Sequence, residues 1–558
     1  MNTASNARTG AQILVDQLTI QCVEHVFCVP GESYLAVLDA FHDAKIEITV
    51  ARQETGAGIM ADAYARLTGK VGVFFTTRGP GAMNAAHAIH IAEHDSVPLI
   101  MFVGQIERSM RGRGAFQEVD YEKVFGSMAK WAVEVNDPAR IPEIVSRAFH
   151  VAMQGRPGPV VISLPEDMLI EKADVPDALR AEAVEAEPGA QALAKFTSLL
   201  QSAKRPIAIL GGSGWGETAV RQFREFAQRY ALPVACSFRR SNLFDAEHEC
   251  YAGELALSTN PKLLERIKSS DLVVLVGGRL AEVPSQSYTL IDLPNPRQTF
   301  VHVHADPEEL GRVYRPHLGI NATPKGFCAA LEKLVPASTP SWSNEIVQAH
   351  RDYLAFSDNA PDMPGDVQLS KIMLWLRERL PQNAIVTNGA GNYTIWNGRY
   401  LRMRHWQNLL APVSGSMGYG LPAAVGAQRV LRNRMVVSFN GDGCFLMNGQ
   451  EFATAVQYDC PIIAIVIDNS IYGTIRMHQE REYPGRVSAT SMRSPDFAAL
   501  ARGYGGHGET VEKTEDFAPA FERCAASGVA SLIHVKIASD AISPVTTLTA
   551  IREKALKG

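Results

Sequence analysis

The 558-residue sequence contains no closely spaced cysteine pair: its eight cysteines stand at 22, 28, 236, 250, 328, 444, 460 and 524, and none falls in a CxxC pattern. Zinc ribbons and dithiol redox sites need such pairs, so both are excluded and buried free thiols are expected. No uninterrupted apolar run approaches the ~20 residues of a membrane helix, and the opening MNTASNARTGAQ lacks the apolar core of a secretory signal. The expectation is therefore no membrane partner and a cytoplasmic location. Nor is there a block of like charge: 54 basic against 59 acidic residues leave a net charge of −5, which gives nucleic acid no electrostatic footprint. Solenoid-length repeats are also missing.

What the sequence does have is an ordinary globular composition, 46% apolar and 20% charged, in a chain too long for one hydrophobic core. Thr9 and Gln12 form a capping box, and Ala11, Leu14, Val15 and Leu18 follow at helical spacing. Short, nearly all-apolar runs then recur: VGVFF at 71–75, LIMFV at 99–103, VVISL at 160–164, PIAIL at 206–210, LVVLV at 272–276, FVHVH at 300–304, AIV at 384–386, MVVSF at 435–439, IIAIVI at 462–467 and SLIHV at 531–535. Apolar runs of strand length alternating with alanine-rich helical stretches imply parallel sheets covered on both faces. An acidic, alanine-rich stretch at 173–192 and the PASTPSW cluster at 336–342 read as linkers. The expected fold class is α/β, with three consecutive doubly wound parallel-sheet domains over 1–172, 191–338 and 365–558.

The densest chemistry lies between Val436 and Gly473. A strand runs into Asn440-Gly441-Asp442-Gly443, and a second delivers Asp468-Asn469-Ser470-Ile471-Tyr472-Gly473, with Asn469 following Gly443 by 26 positions. A carboxylate and a carboxamide at neighbouring strand ends are hard oxygen ligands suited to Mg²⁺, and glycines beside them let backbone amides approach phosphates. Asp-Gly alone is a common turn, so the downstream Asn is what raises the segment above a turn.

This pattern resembles the thiamine-diphosphate enzymes, whose signature is a GDG followed about 25 to 30 residues later by Asn. The family usually ends the motif in two asparagines; here the first is Asp468. The resemblance implies a metal site of Asp442, Asn469 and the backbone carbonyl of Ile471, and a diphosphate-binding third domain. It further implies cofactor contacts from Gly441, Gly443, Cys444, Tyr472, Gly473 and Thr474, and from Gly391, Asn392 and Tyr393 of the loop Asn388–Tyr393. Ser414-Gly415-Ser416-Met417-Gly418 is similar to the segment that flanks the aminopyrimidine in acetolactate synthases, which makes Met417 a wedge under the cofactor and Gly415 a backbone partner. In the first, pyrimidine-binding domain, Glu54 opens the segment ETGAGIMADAYAR, where small apolar neighbours leave a carboxylate poorly solvated and able to bond a ring nitrogen. By itself Glu54 also suits a helix N-terminus; the family's glutamate activates the pyrimidine.

Over nearly the full chain the sequence is most similar to acetolactate synthase-like proteins, through TTRGPGAMN (76–84), DSVPLIMFVGQ (95–105), AFQE (115–118), GRPGPVVISLPEDM (155–168) and HADPEELGR (304–312). Such enzymes decarboxylate a 2-oxo acid and join the remaining unit to a second carbonyl compound. Phe116 and Gln117 are then expected beside the reacting carbon. Three departures leave the substrate open. Glu32, next to Ser33 in Pro30–Ser33, replaces a glycine and matches the acidic proton donor of simple decarboxylases; Arg78 replaces a small residue and suits an anionic group or a structural ion pair; His478 replaces a tryptophan. The alternative readings are a non-ligating 2-oxo acid decarboxylase and a pyruvate-oxidase-like flavoenzyme. FAD stays outside the firm cofactors, thiamine diphosphate and Mg²⁺, because Glu217 breaks a GxGxxG counted from Gly212 and Val283 replaces a second family arginine after Arg279. The resemblance also implies a homodimer or homotetramer with active sites at the subunit interface.

Overall fold

The computed structural model describes residues 7–557. Three six-stranded, all-parallel sheets carry the chain, each flanked by helices. Strands of the first are β1 (His25–Cys28), β2 (Glu47–Val50), β3 (Gly72–Thr76), β4 (Leu99–Gln105), β5 (Trp131–Glu134) and β6 (Pro159–Pro165), in the order β2-β1-β3-β4-β6-β5. The second holds β7 (Pro206–Leu210), β8 (Val234–Cys236), β9 (Tyr251–Glu254), β10 (Leu272–Val276), β11 (Thr299–His304) and β12 (Leu318–Asn321), ordered β9-β8-β7-β10-β11-β12. The third holds β13 (Ile385–Asn388), β14 (Leu409–Leu410), β15 (Val436–Gly441), β16 (Ile463–Asp468), β17 (His507–Val511) and β18 (Ser531–Lys536), ordered β14-β13-β15-β16-β18-β17.

The first and third sheets therefore repeat one strand order, while the second has the reversal at its first strand that marks dinucleotide-binding folds. Every residue of β3, β4, β6, β7 and β10 is buried, as expected of parallel strands sandwiched between helices. Each fully buried Val, Leu, Ile or Phe contributes roughly 1.5–3 kcal/mol relative to exposure, so these central strands anchor their domains. The capping box at Thr9 and Gln12 is present, at the start of the helix Gly10–Ile20. Between Ala173 and Ala190 there is neither helix nor strand. Seven of the cysteines are buried and unpaired as expected, but Cys22 is exposed. No helix among the described residues is long and apolar enough to cross a membrane.

The chain forms two compact units, Met1–Val184 with Val425–Val430, and Glu185–Ala424 with Leu431–Gly558. The second unit holds the second and third sheets. Its central sheet depends on a close approach of two turns: a Cβ on Gly212, whose φ is +68°, would stand 1.8 Å from the carbonyl oxygen of Gly277. Backbone cannot yield there as a flexible side chain can. Gly212→Ala is thus expected to cost about 2 kcal/mol or more and to lower the thermal unfolding midpoint. Gly503→Ala, in a helix and facing open space, should leave it unchanged or raise it.

Candidate active site

In doubly wound sheets, ligands meet the chain at the carboxyl ends of the strands, beside the point where strand order reverses. The first sheet presents there the loops that follow β1, β2 and β3. After β2 the chain turns into the helix Glu54–Thr68, whose second and third residues, Thr55 and Gly56, donate their amides to the side chain of Gln53. Glu54 itself is only 8% exposed. Asn84, on the helix Pro80–Asp95, donates its amide to Glu54 Oε2 at 2.9 Å. A Cβ at Gly81 would stand 3.0 Å from the other carboxyl oxygen, so this glycine leaves Glu54 room to turn a free oxygen outward.

The other first-unit candidates form a separate network. Ser33 is fully buried, its hydroxyl 3.0 Å from Thr77 Oγ1, and it accepts the Arg78 amide at 3.3 Å. Gly104 is required beneath it, since a Cβ there would lie 2.0 Å from Ser33 Oγ. The buried Arg78 guanidinium donates to Glu32 at 2.7 Å and to Glu166 at 3.2 Å. Arg78 is thus engaged by two carboxylates, and Glu32, with a side chain 72% exposed, is its partner at the surface. Gln117 adopts φ +64° and is half-buried against Gly79, whereas Phe116 is 74% exposed.

In the third sheet β15 and β16 pair in register, with Gly441 opposite Ile467, so Asp442 and Asp468 emerge side by side. Asp442 begins the helix Asp442–Asn448 and accepts the Gly443 amide at 2.8 Å. Ser494 Oγ bridges the two acids, 3.3 Å from Asp442 and 2.9 Å from Asp468, and a His534 ring nitrogen lies 2.9 Å from Asp468. Burial first, then neighbouring Asp468, pushes the Asp442 carboxyl up to about 7. Asp468 is subject to burial too, but the contacts with His534, Asp442 and Ser494 hold it well below the usual carboxylate range. Asn469 is half-buried; its side-chain oxygen accepts the Ile471 amide at 3.3 Å, after Ser470 at φ +54°.

Four glycine-containing loops converge here. Thr474 Oγ1 donates to Asn392 Oδ1 at 2.6 Å, which ties the loop after β16 to the loop after β13. Tyr393 OH lies 3.4 Å from Cys444 Sγ, and the Gly418 amide donates to the same sulfur at 3.2 Å, so the loop after β15 holds the other two. A Cβ on Gly389 would meet that sulfur at 2.3 Å, and one on Gly443 would meet the Tyr472 ring at 3.0 Å. Met417 is half-buried against the third-sheet core, and Gly415, at φ +70°, is exposed. Tyr472 is partly exposed beside Gly473, the first residue of the helix Gly473–Glu482, on which His478 is exposed. Chemically, this is a cradle of backbone amides beside an acidic pair and a carboxamide, a donor set for a hard divalent cation and a phosphorylated ligand.

The central sheet is less suited to a dinucleotide. Helix Glu217–Arg229, which follows β7, carries an acidic residue at its first position, where a diphosphate would need positive potential. The Gly212 carbonyl at that turn accepts from Arg240 at 2.8 Å, and Arg279 lies 3.9 Å from Glu309. These residues do not fit FAD.

Family models match residues 8–124 as the N-terminal TPP binding domain of thiamine pyrophosphate enzymes, 193–334 as their central domain and 389–535 as their C-terminal TPP binding domain. Over 533 residues the chain is 31% identical to the acetolactate synthase isozyme 2 large subunit of Escherichia coli, covering 95% of each chain. The chain belongs to the thiamine pyrophosphate enzymes. This thiamine pyrophosphate enzyme is also similar to the acetolactate synthase large subunit of Parasynechococcus marenigrum, with 33% identity over 91% of this chain and 84% of the relative. The mitochondrial acetolactate synthase catalytic subunit of Saccharomyces cerevisiae is 29% identical over 92% and 79%.

The roles of Asn84, Ser494 and His534 were not legible in the sequence of this enzyme: Asn84 closes TTRGPGAMN and His534 lies in the SLIHV run, but each reaches its acid from another element. Their role yields a prediction for the metal-free enzyme. With a folded-state value near 7 against an ordinary one near 3.8, Asp442 contributes stability that is fully present below pH ~4 and lost as pH rises through ~7. In EDTA, Asp442→Asn should therefore raise the thermal midpoint at pH 8. That gain should shrink below pH 7 and vanish near pH 4; a variant less stable than the parent at pH 8 would contradict the acidic-pair reading.

Proposed function

We propose that this enzyme uses thiamine diphosphate and Mg²⁺ to decarboxylate a 2-oxo acid and to ligate the remaining unit to a second carbonyl compound, as the names of its acetolactate synthase relatives suggest. The observation that carries the reading is the convergence of four loops on Asp442 and Asn469, together with a buried Glu54 whose carboxylate is held by Asn84. Bound thiamine diphosphate supplies a nucleophilic carbon and an electron sink for the carbon–carbon bond that breaks. Asp442, the Asn469 side chain and the Ile471 carbonyl hold the Mg²⁺. Gly391, Asn392, Tyr393, Gly441, Gly443, Cys444, Tyr472, Gly473 and Thr474 surround the diphosphate, while Gly415 and Met417 seat the rings.

Glu54 holds a proton at the pyrimidine nitrogen, with Asn84 fixing the carboxyl orientation. Gln117 is the polar handle on the reacting carbon; Phe116 and His478, both exposed, are the proposed substrate contacts, while Ser33 is buried and accepts the Arg78 amide. Arg78 acts through its carboxylates, and a substrate anion would have to displace Glu32 or Glu166 to reach it. The non-ligating reading rests on Glu32, whose Oε1 accepts from Arg78 while its side chain is otherwise largely exposed. The domains act as the units 1–172, 191–338 and 365–558 in a cytoplasmic homodimer or homotetramer, with active sites at the subunit interface.

Incubation with pyruvate, Mg²⁺ and thiamine diphosphate should yield a hydroxyketo acid; acetaldehyde as the sole product would establish the simple decarboxylase instead. Glu54→Gln should keep cofactor affinity, measured calorimetrically, and lower kcat by about 10²-fold or more. Unchanged turnover would remove Glu54 from the chemistry.

A further inference from the structure

Between β4 and the helix Tyr121–Phe125, within the first compact unit, residues 106–120 form a loop that carries Phe116 and Gln117. Its roots are held by packing and charge. Buried Gln105, the last residue of β4, donates its side-chain amide to the Val119 carbonyl at 2.8 Å, and Arg111 pairs with Glu134 at the end of β5. The tip is different. A Cβ on Gly112 or Gly114, at φ +74° and +66°, would meet nothing within 4 Å, and Phe116 is exposed.

The Glu118 amide donates to the Ala115 carbonyl at 3.0 Å, which closes a β-turn with Phe116 and Gln117 at its centre. Gln117 takes φ +64° at the second central position, where glycine is the usual choice. Such an outlier persists only where its surroundings impose it, and it marks a side chain that is needed in one orientation. Two neighbours impose it. The Glu118 carboxylate accepts the Gly112 amide on Oε1 at 2.7 Å and the Ala115 amide on Oε2 at 3.0 Å, drawing 112–117 into a closed turn. Those amides hold its carboxyl below the usual carboxylate range, so it accepts both bonds as an anion at neutral pH. On the other side, Gly79 gives Gln117 room, since a Cβ there would stand 2.8 Å from Gln117 Cβ, and the Gly79 amide is itself fixed by the buried Tyr121 hydroxyl at 2.8 Å.

We propose that Glu118 is a positioning residue for Gln117: it closes the turn and so aims the amide that handles the reacting carbon. This rests on the role of Gln117 in the function proposed above. A double-mutant cycle on the holoenzyme, assayed with pyruvate, tests it. Glu118→Ala and Gln117→Ala should each lower kcat/KM by about tenfold or more, and the double variant should lose no more than Gln117→Ala alone. Glu118→Gln, which keeps one oxygen acceptor, should recover most of the loss. Calorimetric cofactor affinity and the thermal midpoint should stay parental throughout. Independently of substrate, hydrogen–deuterium exchange at amides 112–117 should rise in Glu118→Ala while exchange around Glu54 and Asp442 does not change. Losses that multiply in the double variant, parental kcat/KM in Glu118→Ala, or unchanged exchange would each overturn the assignment. Parental kcat/KM in Gln117→Ala would remove Gln117 from the chemistry and the assignment with it. If the parent does not turn pyruvate over, the proposed reaction fails and the exchange measurement alone decides whether Glu118 holds the turn.

Discussion

A carboxylate at the end of a buried strand is cut off from water, and a second one beside it makes its ionisation costly unless a cation or a donor intervenes. The register of β15 against β16 imposes that situation on Asp442 and Asp468. Everything nearby responds to it: Ser494 and His534 engage Asp468, the Gly443 amide caps Asp442, and three further loops close around the same end of the sheet. Such an arrangement is costly in an empty protein and favourable with a divalent cation. The acidic pair is therefore the feature from which the other loop contacts take their meaning.

The first and third sheets share a strand order but place different chemistry at their reversal points. At the first, a helix begins with a buried carboxylate that has one amide partner and a glycine in front of it. At the third, glycine-rich turns expose backbone amides next to oxygen ligands. One supplies a proton-handling group and the other an anion-and-cation cradle, so neither end alone suffices for a phosphorylated, proton-activated cofactor. The central sheet, with the dinucleotide strand order, carries an acidic helix start instead of an anion site, which illustrates that strand order does not dictate the ligand.

Central strands were legible because burial on both faces makes them apolar throughout: PIAIL and LVVLV coincide with β7 and β10 to the residue. Outer strands were not. Glu47–Val50, Trp131–Glu134 and His507–Val511 lie at sheet edges, where one side meets solvent and each short strand carries an acidic residue. Val234–Cys236 is simply too short to register as periodic. The site divides in the same way. Loop residues joined by a fixed spacing, such as Asp442 and Asn469, were visible; partners brought in by tertiary packing, such as Asn84, Ser494 and His534, were not. Arg78 was ambiguous for the same reason, since only the fold reveals that Glu32 and Glu166 both reach it.

The departure at Asp468 now has a physical reading. An asparagine there would give Asp442 a neutral neighbour, whereas an aspartate places a second acid against it and raises the proton affinity of Asp442. Asp468 keeps its own charge because a ring nitrogen of His534, a hydroxyl of Ser494 and the Ser470 amide all surround it. Those three groups would have little reason to converge on a carboxamide. The substitution and its partners therefore form one unit, which makes the end of the third sheet more acidic and its need for a cation greater, while leaving Asn469 free of that network to act as a ligand.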